Sequence, residues 1–259
     1  NFGHALVIAG SYGKIGAAIL ATRACLRSGA GLVTTHVPKC GYDIMQTALP
    51  EAMVMTDFNS SFITKIDDDV SNYDAIGIGP GIGTASETRT MMRSVFDQFK
   101  KPLVLDADAL NIISAERELF RNIPQGSVLT PHPKEFERLF GKTADDFERM
   151  QLALAKAKEL NCVILLKGHH TLIAAPNGMA FFNSTGNAGM ATGGSGDVLT
   201  GIIASLLAQN YSSLDASILG TYIHGLSGDI AASQLSQEAM IAGDIIDHIP
   251  AAFLHVAAS

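Results

Sequence analysis

The chain has 259 residues and a formal net charge of −7 at pH 7; 47% of its residues are hydrophobic and 17% are charged. An acidic chain with no stripe of Lys and Arg interleaved with aromatics is not built for nucleic acid, and Cys25, Cys40 and Cys162 are too far apart for a zinc motif or a CxxC pair, so they read as reduced thiols. No signal peptide opens the chain and no apolar stretch is long enough to span a membrane, so the expectation is a soluble, cytoplasmic protein.

Short apolar, often β-branched runs predict strands over 4–9, 32–37, 74–78, 103–106, 127–129, 163–167, 171–174 and 179–182. Amphipathic spacing predicts helices over 15–28, 87–99 and 144–160. This β-α-β-α order implies a mainly parallel sheet covered on both faces. Pro176, Asn177 and Gly178 between two strands predict an antiparallel hairpin at the sheet's edge. After residue 182 comes a glycine-rich loop and then helical pattern almost to the end. The whole length reads as a single domain. Its start at Asn1 rather than Met, close to the first strand, suits a piece cut from a longer polypeptide.

The glycine-rich loop carries the strongest chemical signal. Gly193, Gly194 and Gly196 fall within four positions, and Asp197 follows. Apolar residues at 198, 199, 202, 203, 206 and 207 lie on one helical face, so the glycines immediately precede a buried helix. A helix start offers unpaired N–H groups and a partial positive charge. Glycines let those groups curl around an anion. An acid at a helix start also favours the helix dipole, by about 0.3–1 kcal/mol, but that does not account for the glycines before it. The arrangement points to phosphoryl transfer, with Gly194, Ser195 and Gly196 as an anion hole and Asp197 as the catalytic base. A carboxylate of ordinary pKa, about 3.9, is too weak to strip an alcohol in the ground state and acts in concert with transfer. There is no GxxxxGK[ST] loop. Neither GIGPGIG at 77–83 nor GSYGKIG at 10–16 has the dinucleotide GxGxxG spacing, which argues against a nicotinamide dehydrogenase.

Five segments together resemble the ADP- or ATP-dependent NAD(P)H-hydrate dehydratases of the ribokinase-like superfamily. They are GSYGKIGA at 10–17 followed by SGAGL at 28–32, GPGIG at 79–83, LTPHP at 129–133, LKGHHT at 166–171, and NAGMATGGSGDVLTG at 187–201. The likeness runs from the first residue to about Gln209. It implies a three-layer α/β/α ribokinase-like fold with a mainly parallel central sheet and an antiparallel edge hairpin. It also implies an activity, a lyase that phosphorylates the C6 hydroxyl of hydrated NADH or NADPH with ADP or ATP and then releases phosphate to restore the cofactor.

Carried over motif by motif, Ala17, Gly83, His132 and Asp197 touch the hydrate. Lys167, Gly168, His169, His170 and Thr171 hold the nucleotide, whose phosphate borders Gly196. Gly16 and Asn187 are further candidates within the same motifs. Asp106 and Asp108, at a strand's C-terminal end, are candidates for orienting the substrate or a Mg2+ ion, with Glu135 beside them. His169 and His170 are not read as metal ligands, because neighbours on a strand point to opposite faces. Ser195 stands where members often have threonine, and the basic segment that often precedes the first strand is missing. The resemblance further implies a homo-oligomer, often a tetramer, and a partner epimerase domain often fused ahead. Two alternatives remain open at this point: a small-molecule alcohol kinase resembling hydroxyethylthiazole kinase, or a nucleotide-binding domain that has lost catalysis.

Overall fold

The computed structural model describes residues 2–258. Its strands are β1 (His4–Ile8), β2 (Leu32–Val37), β3 (Met53–Thr56), β4 (Ala75–Ile78), β5 (Leu103–Leu105), β6 (Val128–Leu129), β7 (Val163–Leu166), β8 (Leu172–Ala174) and β9 (Ala180–Phe182). They join into one sheet in the order β3-β2-β1-β4-β5-β6-β7-β8-β9. The pairs from β3 to β7 are parallel, and β8 and β9 add as the antiparallel edge. The helices are α1 (Ile15–Arg27), α2 (Tyr42–Ala48), α3 (Ser86–Gln98), α4 (Ala107–Ala115), α5 (Pro133–Phe140), α6 (Asp146–Leu160), α7 (Ser195–Ala208), α8 (Ser213–Leu235) and α9 (Ala242–Ala257).

Period-two alternation decides which helices meet which face. Ala5 and Val7 of β1 join the core made with Ala21, Ile202, Ile223 and Ile246 of α1, α7, α8 and α9. Leu6 and Ile8 point the other way, to Met92, Phe96 and Leu110 of α3 and α4. Towards the antiparallel edge, Ile164 and Leu172 meet Phe136 and Ala157 of α5 and α6. Helices therefore cover both faces, giving the three-layer α/β/α arrangement expected.

Small residues set how closely α7 lies on its neighbours. A Cβ at Gly201 would stand 2.0 Å from the Ala21 carbonyl oxygen of α1, and one at Gly77 would stand 3.3 Å from Ala204 Cβ. Gly201→Ala is therefore expected to force α7 away from α1. It should cost about 1–3 kcal/mol, read as a lower thermal midpoint; an unchanged midpoint would mean that the crossing adapts freely.

The strands predicted from sequence all form, within about a residue or two at each end. β3, α2, α4 and α5 are not expected from the sequence pattern. β3 is a four-residue edge strand with exposed or half-exposed side chains, so it has no alternating burial to betray it. α4 starts two residues after β5 ends, with Ala107 in the left-handed region at φ 49°. That abrupt strand-to-helix switch leaves no turn signature. The C-terminal ends of β1, β4, β5, β6 and β7 open at one edge of the sheet, which is where parallel sheets place ligands, and the start of α7 comes to the same place.

Candidate active site

The helix start is built as its sequence demands. Gly194 is the N-cap of α7 with φ 91°, and a Cβ there would lie 2.4 Å from Leu20 Cδ1. Only glycine suits both the conformation and the space. The amides of Gly196 and Asp197 precede the first helical bond, from Val198 N to the Gly194 carbonyl at 3.1 Å. They are the donors a helix N-terminus offers to an anion.

Asp197 follows in that first turn, half-buried. Burial and, after it, the negative charges of Asp106 and Asp108 together raise its pKa to about 7, with Lys167 partly opposing them. It is a stronger base than the ordinary carboxylate that the sequence implies, and near neutrality it both accepts and gives up a proton readily.

The two aspartates of the β5–α4 junction part company across Ala107. Asp106 is 1% exposed. Its Oδ1 lies 2.7 Å from Lys167 Nζ, and its Oδ2 accepts from Thr200 Oγ1 of α7 at 3.1 Å. Gly196 covers this pair: a Cβ at 196 would stand 3.3 Å from Lys167 Nζ and 3.4 Å from Asp106 Oδ2. Asp106 thus lines neither cleft described below. Its place is beneath the loop, holding the lysine. Asp108 turns outward. It accepts from Gly83 N at 2.9 Å and from Asn111 Nδ2 at 3.2 Å, and Lys14 Nζ stands 3.8 Å away.

His132 is the N-cap of α5, in a reciprocal capping box with Glu135. Its Nδ1 accepts from the amides of Lys134 and Glu135, and Glu135 Oε2 accepts from His132 N at 2.9 Å. The ring proton therefore sits on Nε2. Burial and the nearby Lys167 and Arg138 charges lower the His132 pKa, which favours the neutral ring. Glu135 is raised by burial. Capping thus uses Glu135's carboxylate and fixes His132's ring.

Two clefts meet across the glycine loop. One, of about 530 Å³, is lined by Lys167, Gly168, His169, Thr171, Asn187, Ser195 and Gly196, and by apolar Leu199 and Met190. The other, of about 560 Å³, is lined by Gly16, Ala17, Asp108, Glu135, Gly194 and Asp197, and by Lys14 and Arg138. His132 borders both. Gly83 does not line the second cleft; its amide is instead tied to Asp108. His170 lines neither. His169 and His170 lie in the bend between β7 and β8, with their rings edge-on at 4.4 Å, so the opposite-face argument made for a strand does not apply to them. Among the described residues, no group of three or more His, Cys, Asp or Glu side chains is placed to hold a metal.

Two supporting residues escape the sequence reading. Buried His224 of α8 donates from Nε2 to the Ser195 carbonyl at 3.0 Å and lies 3.2 Å from Ser195 Oγ. Burial lowers its pKa to about 4, so it is neutral at physiological pH. Asp229 of α8 accepts from Gly186 N at 2.8 Å and from Asn187 Nδ2 at 2.9 Å, clamping the loop over the first cleft. Both lie on a helix remote in sequence, and the HGLSGD run at 224–229 is the one local cue.

The family described as NAD(P)H-hydrate dehydratase matches residues 5–251. The chain belongs to that family. It is 40% identical over 258 residues to a bifunctional NAD(P)H-hydrate repair enzyme of Moorella thermoacetica, covering 96% of this chain and 49% of the relative. It is 37% identical to an ADP-dependent (S)-NAD(P)H-hydrate dehydratase of Neisseria meningitidis, covering 95% of this chain and 83% of the relative. The chain thus spans about half the length of the bifunctional relatives and most of the other. A solved Bacillus subtilis ADP/ATP-dependent NAD(P)H-hydrate dehydratase, co-crystallised with ATP/Mg2+, superposes with a TM-score of 0.83 at 30% identity, covering 98% of this chain and 90% of that one. An Arabidopsis thaliana ribokinase shares the fold, with a TM-score of 0.60 at 15% identity. Within the family's fold, no helix among the described residues is long and apolar enough to cross a membrane.

Proposed function

We propose that this chain restores hydrated NADH or NADPH, using ADP or ATP as phosphoryl donor. The observation that carries the proposal is the position of Asp197, which lines the second cleft directly after Ser195 and Gly196 of the first, on a helix turn whose amides are open to an anion. The nucleotide occupies the cleft lined by Lys167, Gly168, His169 and Thr171, its terminal phosphate against the amides of Gly196 and Asp197 and the ammonium of Lys167. The hydrate lies in the other cleft beside Ala17 and His132. Asp197 takes the C6 hydroxyl proton as that oxygen bonds to the terminal phosphorus, and the bond from phosphorus to the departing nucleotide breaks. Phosphate then leaves C6 with its bonding electrons while C5 loses a proton, and the ring double bond reforms. The products are the reduced cofactor, phosphate and the nucleotide shortened by one phosphate.

The donor set fits a Mg2+ ion that arrives on the nucleotide and keeps most of its ligands there. Such an ion would need only one or two protein carboxylates, and Asp108 would supply one in place of its 3.8 Å contact with Lys14. The ion neutralises phosphate charge when bound. The names of the relatives support the hydrate and the nucleotide as substrates, and the bifunctional ones support a partner epimerase activity in a longer polypeptide. We further infer a cytoplasmic homo-oligomer.

The test mixes hydrated NADH or NADPH with ADP or ATP and follows the near-ultraviolet absorbance of the reduced nicotinamide. Recovery with at least one nucleotide is expected, and recovery with none sinks the proposal. Because free Asp197 titrates at about 7, kcat/KM should rise with pH along an acid limb centred near that value. A limb near the ordinary carboxylate range would assign the proton to another group.

A further inference from the structure

The second cleft holds a charge that phosphoryl transfer leaves unused. Arg138 lines it from the exposed face of α5, and Lys14 lines it from the loop entering α1. Lys14 has Asp108 nearby at 3.8 Å. Arg138's guanidinium has no hydrogen bond or ion pair to any described residue, whereas Arg23, Arg93 and Arg149 are each paired with a carboxylate. The carboxylates beside it are already engaged, Asp108 by Gly83, Asn111 and Lys14, and Glu135 by His132. The backbone under it is fixed, because the Arg117 guanidinium bonds to the carbonyls of Arg138 and Leu139. The result is an exposed fork of donors on the wall of a cleft, with no hydrogen-bonded partner and only the more distant charge of Glu135 to answer it.

A chain of net charge −7 repels a polyanionic ligand, so a local cation on the binding wall matters more here than on a neutral surface. A planar guanidinium suits paired phosphate oxygens. Lys14 and Arg138 follow β1 and β6, which are three strands apart in the sheet, or about 14 Å.

We propose that Arg138 is a substrate-binding residue of this cleft, gripping a phosphate of the hydrated dinucleotide. This rests on reading the cleft as the hydrate site. The phosphate is either the bridging pyrophosphate or the ribose 2′-phosphate, and both present the same chemistry to the guanidinium.

The test compares wild type, R138Q and R138K with NADH hydrate and NADPH hydrate at saturating nucleotide. R138Q should raise the hydrate KM about tenfold to a hundredfold, the range of a lost hydrogen bond to a charged group. The nucleotide KM should stay within about twofold of wild type. R138K should recover part of the loss. A rise for both hydrates assigns the pyrophosphate, and a rise for NADPH hydrate alone assigns the 2′-phosphate. A hydrate KM within about twofold of wild type for both substrates, or a loss confined to kcat, overturns the proposal and leaves Arg138 a solvated surface residue. If wild type itself restores neither hydrate, the reading of the cleft fails first and the assignment of Arg138 falls with it.

Discussion

Asp197→Asn should lower kcat by about 10²–10⁴-fold, the range of a lost general base, with the nucleotide KM nearly unchanged. Asn keeps the size of the side chain and leaves the backbone amides in place, so the anion site survives while the proton acceptor does not. Turnover near the wild-type rate would remove Asp197 from the chemistry. The same variant should be more stable than wild type above neutral pH. In the folded protein the Asp197 pKa is about 7; in the unfolded chain it is about 3.9. The folded state therefore holds this proton more tightly, and the resulting stability is fully present below about pH 3.9 and is lost as pH rises through about 7. Above that range the protein carries a half-buried carboxylate beside two others, and Asn relieves it. Thermal unfolding at pH 8 and pH 4 checks the sign: the gain should appear at pH 8 and be absent at pH 4.

Asp106→Ala should act on stability and on the pH profile together. It leaves the Lys167 ammonium without its 2.7 Å partner and Thr200 without its acceptor. Breaking a buried pair costs about 3–5 kcal/mol. With 22% of the Lys167 side chain exposed, the lower end applies, and for a chain of this size that is a drop of roughly 6–12 °C in Tm. Removing the Asp106 charge also takes away the second-largest cause of the raised Asp197 pKa. It frees Lys167 to approach Asp197, which acts in the same direction. The acid limb of kcat/KM should therefore move to lower pH. A Tm loss with an unmoved limb would make Asp106 purely structural.

Much of this architecture is legible in the sequence because parallel strands buried on both faces are continuous apolar runs. The segments 4–9 and 163–167 announce themselves in that way. The Met53–Thr56 strand does not, since an exposed edge strand lacks the burial that writes the pattern. The loop at 193–197 is legible for a different reason. Gly194's left-handed φ is one that side-chain-bearing residues rarely adopt, so the fold stamps glycine into the chain at that point.

By itself, then, the sequence determines the order of layers, the helix that follows the glycine loop, and Asp197 at its first turn. All of these are local consequences of periodicity and glycine geometry. Tertiary structure alone decides what surrounds Asp197. Asp106 is brought from β5 and Lys167 from the end of β7, while His224 comes from the middle of α8. A pKa depends on desolvation and on charges within a few ångströms, and residues at 106, 167 and 197 have no such proximity until the sheet is assembled. That assembly turns an ordinary carboxylate into a base poised near neutrality, and it leaves the Arg138 guanidinium without a hydrogen-bonded partner on the cleft beside it.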